Sequence, residues 1–326
     1  MWDSILDVLL QKLEQGVEVR FMYDDLGSVS TLKWTFNKRL KELGIKCVKF
    51  HPFIPVLSER HNNRDHRKIT VIDGKCAFIG GANLADEYIN KVDRVGGYWK
   101  DSAVKVTGAA VKSISAMFLL NYDMQLASSE NYEKYLSGDF GIEGDGGIVV
   151  PYGDGPRPAY MENVSENVLL NMINQAQKYV WITTPYLIID GKLTNALCSA
   201  ALRGVDVRII TPHIPDKKII FAITHSYYGR LLNHGVKIFE YTPGFIHAKQ
   251  ILCDDEIAMV GTVNMDYRSL IHHYECGVVM INTGSLADIK SDFENNFACS
   301  QNMQGFRQNP AVALLCRLCS AFTPLL

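Results

Sequence analysis

The sequence predicts an α/β protein made of two pseudo-symmetric repeats, each a mixed, mostly parallel sheet with flanking helices, and a functional site between them. Three observations predict it. A helix-glycine-strand unit occurs twice in the first half and twice in the second. The pattern His-x-Lys-x4-Asp follows each pair, as HRKITVID (66 to 73) and HAKQILCD (247 to 254). Each motif then leads into an apolar stretch ending in small residues and Asn, FIGGAN (78 to 83) and MVGTVN (259 to 264).

Taken in order, LLQKLEQGVEVRFMYDD (9 to 25) has apolar residues at helical spacing up to Gly16 and then alternates as a strand does. LCSAALRGVDVRIITPH (197 to 213) repeats it. FNKRLKELGIKCVKF (36 to 50) and YYGRLLNHGVKIFEY (227 to 241) form the second matched pair. Recurrence in one order indicates internal duplication, and strand-helix alternation indicates parallel pairing. A boundary falls in the Gly-rich GIEGDGGIVVPYGDGP (141 to 156), so the repeats are expected at 1–145 and 146–326. The second repeat opens with an extra helix and strand, ENVLLNMINQAQKYVWITTPYLI (166 to 188), that the first lacks. By symmetry, roughly thirty residues including one central strand are expected upstream of Met1, making the first repeat incomplete and the chain a fragment. A partner chain is one way to compensate for such a strand, so an oligomer is possible.

Composition narrows the classes. The 326 residues carry 33 Lys+Arg against 35 Asp+Glu, a net charge of −2, so nothing draws the whole molecule to nucleic acid or acidic lipid. An anion site must be local, and Lys33 to Lys68 is the most basic span. Its bland reading is a solvated face. The eight cysteines sit mostly in apolar runs, as small buried residues do in a reducing compartment. Cys316 and Cys319 form a CxxC without a second pair, which argues against zinc. No secretory signal is visible, and no run reaches the ~18 apolar residues of a membrane span. The C-terminal PAVALLCRLCSAFTPLL, with Arg317 at its centre, suits either a membrane interface or a packing helix.

The two motifs carry the chemistry. ITVID and QILCD alternate as strands, which places His66 with Lys68, and His247 with Lys249, on common faces. Asp73 and Asp254 sit at odd offsets, beside Gly74 and Asp255, and belong to hairpin turns with a structural role. A fixed ammonium repels a metal and holds phosphoryl oxygens, so the ligand expected is a phosphate and no metal or other cofactor. Asn83 and Asn264 offer amide donors, behind small residues that let backbone approach the ligand. Two copies meeting across a pseudo-twofold allow one imidazole to attack phosphorus while the other protonates the leaving oxygen. An attacking imidazole needs an acceptor on its other nitrogen. Asp101 in YWKDSAVKV and Glu275 in HHYECGVVM, each just before an apolar strand, are the candidates.

These residues resemble the phospholipase D superfamily, whose signature is HxKxxxxD followed by GGxN or GTxN. GGANLADEYIN, GYWKDSAVKVTGAAV, GVEVRFMYDDLGS, GFIHAKQILCDDEIAMVGTVNMDYRSL and HHYECGVVM look more narrowly like bacterial cardiolipin synthases. The resemblance implies phosphatidyl transfer between two phosphatidylglycerol molecules, giving cardiolipin and glycerol without a cofactor. It implies His66 as nucleophile, His247 as general acid, and Lys68, Asn83, Lys249 and Asn264 as phosphate ligands. Members usually carry N-terminal transmembrane segments, which this chain lacks, so a peripheral position on the cytoplasmic side of the cell membrane is expected. The alternatives are a hydrolase releasing phosphatidic acid, a nuclease, and a non-catalytic lipid-binding remnant. Near-neutral charge and the lack of a basic, aromatic-interleaved stretch speak against nucleic acid.

Overall fold

A computed structural model of the chain describes residues 1–52, 62–126, 131–137, 144 and 146–320. The first unit runs α1 (Trp2–Glu14), β1 (Arg20–Asp24), α2 (Phe36–Glu42), β2 (Lys46–Phe50), β3 (Ile69–Ile72), β4 (Cys76–Gly80), β5 (Tyr98–Lys100), β6 (Ala103–Thr107), α3 (Ala110–Leu126) and α4 (Glu133–Leu136). The second runs β7 (Ile148–Asp154), α5 (Val164–Gln175), β8 (Tyr179–Thr183), β9 (Leu187–Ile188), α6 (Gly191–Leu202), β10 (Asp206–Pro212), α7 (Lys218–Asn233), β11 (Lys237–Tyr241), β12 (Gly244–Ile246), β13 (Gln250–Cys253), β14 (Ile257–Gly261), β15 (Met265–Asp266), α8 (Tyr267–Ile271), β16 (Glu275–Ile281), α9 (Ser285–Ala298), β17 (Ser300–Asn302) and α10 (Pro310–Ser320).

The expected helix-glycine-strand units all form. Each ends its helix on a glycine in the left-handed region, Gly16, Gly44, Gly204 and Gly235, with φ of 83°, 90°, 93° and 92°. A side chain there would clash with its own backbone, so glycine is what turns each helix back to the sheet. The boundary expected at 145/146 touches residues outside the described set (138–143 and 145).

The second unit's sheet has eight strands in the order β17-β11-β10-β8-β13-β14-β16-β7. Only β8, β10 and β11 run parallel; every other neighbouring pair is antiparallel. The expectation of mostly parallel strands therefore holds for the helix-connected part and fails from the motif strand onward. Three-residue turns reverse the chain there, with positive φ at Asp73, Gly74, Asp254 and Asp255, and a tight turn joins only antiparallel strands. In the first unit β1 and β2 form one parallel sheet and β3, β4 and β6 a separate antiparallel one. No described residue there fills the place that β8 takes between β10 and β13.

One apolar core joins the units. Ala77 and Ile79 of β4 and Ile114 of α3 pack in the same cluster as Val260 of β14 and Cys276 and Val278 of β16, so the motif-bearing hairpins face each other across a shared hydrophobic contact. A smaller cluster around Leu6, Leu40, Ile45 and Cys47 holds α1 and α2 on β2. The basic span is partly neutralised by ion pairs, including Arg64 with Asp24, Arg67 with Asp65, Lys46 with Glu18 and Lys49 with Asp25. At the C-terminus α10 packs on α7, with Cys316 buried against Ile188 and Ile223; residues 321–326 and the side chains of Arg317 and Cys319 lie outside the described set. Among the described residues, no helix is long and apolar enough to cross a membrane.

Candidate active site

Both His-x-Lys segments sit just before their strands, β3 and β13, where the chain leaves the other unit. The backbone dictates this. β12 pairs in parallel with β5 of the first unit, Ile246 opposite Lys100, and the His247 amide donates to the Lys100 carbonyl at 2.6 Å. Its pseudo-symmetric counterpart is a parallel bridge between Asp65 and Tyr274, where the His66 amide donates to the Tyr274 carbonyl at 2.9 Å. Each histidine is thus seated against the residue that precedes the other unit's carboxylate.

The consequence is a crossed pairing. His247 Nδ1 donates to Asp101 Oδ2 at 2.7 Å, and His66 Nδ1 donates to Glu275 at 3.0 and 3.1 Å. A carboxylate only accepts, so both rings carry their proton on Nδ1 and leave Nε2 as a free base. Sequence reasoning found both carboxylates without saying which histidine each serves. Gly81 makes room for one of them, because an added Cβ would lie 2.2 Å from Asp101 Oδ1. The small residues after each motif therefore admit a carboxylate or a neighbouring strand, where close approach of a ligand was expected. The matched position in the second unit is Thr262, whose hydroxyl donates to Glu275, as does that of Ser269 on α8. Neither residue was singled out in the sequence; Thr262 shows only as one of the two mismatches of GGAN with GTVN.

Each lysine ammonium donates to the carbonyl of its own histidine, and Lys249 Nζ also lies 2.8 and 2.9 Å from the two His247 ring nitrogens. Lys68 feels the charges of both Glu275 and Asp101, and Lys249 feels Lys68, so the four charged groups share one site. Burial governs the protonation there. It pushes His66 down to about 4 against the pull of Glu275, and His247 down to about 3 with Lys249 adding to the effect. It pushes Lys68 down to about 8 and Lys249 to about 7. Burial opposes ionisation of Glu275 and Asp101 as well, yet His66 and His273 hold the Glu275 carboxyl below the usual range, and Lys249 and His247 do so for Asp101.

The remaining expected residues are placed unequally. Asn264 is buried, 6% exposed, with its Oδ1 unpartnered. Asn83 is exposed and donates to the Tyr88 hydroxyl at 2.6 Å; the Tyr88 ring stands edge-on to His247 with centroids 5.3 Å apart. Asp254 lies in its turn and accepts from the amides of Gln177, Lys178 and Tyr179. Asp73 is exposed in the matching turn.

Comparison with known proteins bears on this arrangement. The family described as cardiolipin synthase, PLD-like domain, matches residues 2–106 and 169–297. An uncharacterized protein of Streptococcus mutans is 50% identical over 93% of this chain and 65% of its own length. A cardiolipin synthase of Alkalihalophilus pseudofirmus is 39% identical over 94% of this chain and 61% of its own. The chain thus spans less than two thirds of either relative. Among solved structures, a phosphatidylserine synthase of Haemophilus influenzae superposes with a TM-score of 0.70 at 13% identity, covering 98% of this chain and 84% of that one. That last likeness bears on the fold alone.

Proposed function

With the chain belonging to the cardiolipin synthase, PLD-like domain family, we infer that its site transfers a phosphatidyl group from one phosphatidylglycerol to the hydroxyl of another, releasing glycerol and forming cardiolipin. The observation that carries the reading is the crossed His-carboxylate pairing beside two lysines, with His247, Lys249 and Glu275 buried. His66 Nε2, held by Glu275, attacks phosphorus, forming the P–N bond as the P–O bond to glycerol breaks. His247 delivers a proton to the departing oxygen. A phosphodiester anion in the site favours that protonated form, against the burial that disfavours it in the free protein. In the second half-reaction His247 takes the proton of the incoming hydroxyl, whose oxygen displaces His66. Lys68, Lys249 and Asn264 stabilise charge on the nonbridging oxygens, and Asn83 joins them on release from Tyr88.

A lipid surface fits the surroundings. Leu84, Ile89, Val92 and Tyr98, on the segment between Asn83 and Asp101, expose 51%, 42%, 53% and 54% of their surfaces, a concentration of apolar side chains suited to a bilayer at the site's rim. The test is incubation with phosphatidylglycerol vesicles and mass spectrometry of the products, with His66→Ala and His247→Ala as controls. Cardiolipin and glycerol, lost in both controls, are expected. Phosphatidic acid in place of cardiolipin would make the protein a hydrolase.

A further inference from the structure

Glu275 faces two imidazoles. Besides His66, His273 places Nδ1 3.7 Å from Glu275 Oε1, beyond hydrogen-bond reach. That nitrogen is buried and has no hydrogen-bond partner, on a side chain 14% exposed. The repeat shows what is unusual here. Counting back from the two carboxylates, His273 stands where the first unit has Trp99. The two rings pack alike: His273 lies 5.5 Å from His66 at 42°, and Trp99 lies 5.7 Å from His247 at 45°. An aromatic ring meets the packing need in both units, but only the second unit's ring brings an sp2 nitrogen able to bind a metal. Donor atoms of His66, His273 and Glu275 lie within 4.8 Å of one another.

We propose that His66, His273 and Glu275 form a site for a divalent transition ion of the zinc type, and that the ion holds the active site off. Two imidazole nitrogens and one carboxylate oxygen are a three-ligand zinc set that leaves a position for water. The ion satisfies the orphaned nitrogen of His273. It takes the place of the proton between His66 and Glu275, and the neutral ring keeps that single proton by changing tautomer, so a metal on Nδ1 puts it on Nε2, the nitrogen required for attack. Lys68 shares the active site and opposes the cation, so the site binds more weakly than a structural zinc site. The inhibitory effect rests on the proposed transfer reaction; the binding does not.

The test uses the full chain stripped with a chelator, dialysed against zinc chloride, with bound zinc measured by atomic absorption beside turnover of phosphatidylglycerol vesicles. The expected result is stoichiometric zinc with loss of turnover restored by chelator. In His273→Trp, which copies the first unit, zinc binding weakens at least about tenfold and turnover no longer responds to it. His273→Asn serves as a second variant if the indole disturbs folding. Elsewhere in the second unit His213 and His225 pair with Glu240; zinc retained in both variants, or lost instead in His225→Asn, overturns the site. Zinc that binds through His273 while turnover continues overturns the inhibition. Metal-free protein without turnover speaks against the transfer reaction, and the binding result still decides the site.

Discussion

The motif aspartates of the two units occupy matching turns and have different fates. Asp254 is 9% exposed, and its carboxylate accepts three consecutive backbone amides at the start of β8. Asp73 is exposed, and among the described residues its carboxylate has no partner. The strands differ too: β8 is wholly buried between β10 and β13, whereas β1, the counterpart of β10, has no such neighbour among the described residues and all five of its residues are half-buried. Yet the His-Lys ends of the two motifs are built alike. The difference teaches that the motif has two separable parts. Its Asp clamps a neighbouring strand of its own unit where one is present, as Asp254 does β8, while its His is seated and oriented by the other unit.

The largest expected effect comes from the histidines. His66→Ala removes the proposed nucleophile and is expected to lower turnover by at least about 10^3-fold, with no phosphohistidine trapped. His247→Ala lowers turnover of phosphatidylglycerol comparably but still forms the covalent adduct from a substrate with an activated leaving group, as read by acid-labile labelling. Equal labelling of the two variants would remove the assignment of roles.

A smaller effect separates the lysines by pH. A substrate phosphate is held by the protonated ammonium, so affinity for phosphatidylglycerol vesicles is steady below the lysine pKa and falls above it. With Lys249 pushed down to about 7 and Lys68 to about 8, the alkaline limb of that binding begins near neutrality. Lys249→Arg keeps its charge and moves the alkaline limb up by about one unit, to that of Lys68. An unmoved limb would show that Lys249 does not set it.

The smallest effects are on stability. Asp254→Ala strands three amides and costs about 2–3 kcal/mol in urea unfolding, while Asp73→Ala stays within about 0.5 kcal/mol. Equal losses would erase the distinction between the two turns.

Much of this was legible in the sequence because it is local or repeated. The helix-glycine-strand units show in spacing, the four glycines in their positions, and the histidines, lysines and both carboxylates in duplication. The crossed pairing was not legible, since Asp101 and His247 lie 146 residues apart and Glu275 and His66 lie 209 apart, and only the contact of β5 with β12 and of Asp65 with Tyr274 shows who meets whom. The turns at Asp73 and Asp254 are legible as hairpins, and with them the antiparallel pairing just after each motif, whereas helix alternation overstates the parallel share of the sheet. Ser269 and His273 carry no repeated signal at all.

The most direct test of the composite site is the tautomer of each catalytic ring, read by long-range proton-nitrogen correlation NMR on histidine-labelled protein with and without Glu275→Gln. The crossed arrangement predicts Nδ1-protonated rings at both His66 and His247 in the unaltered chain, with only His66 disturbed by the substitution. A disturbed His247 beside an unchanged His66 would contradict it, and with it the claim that each unit orients the other's histidine.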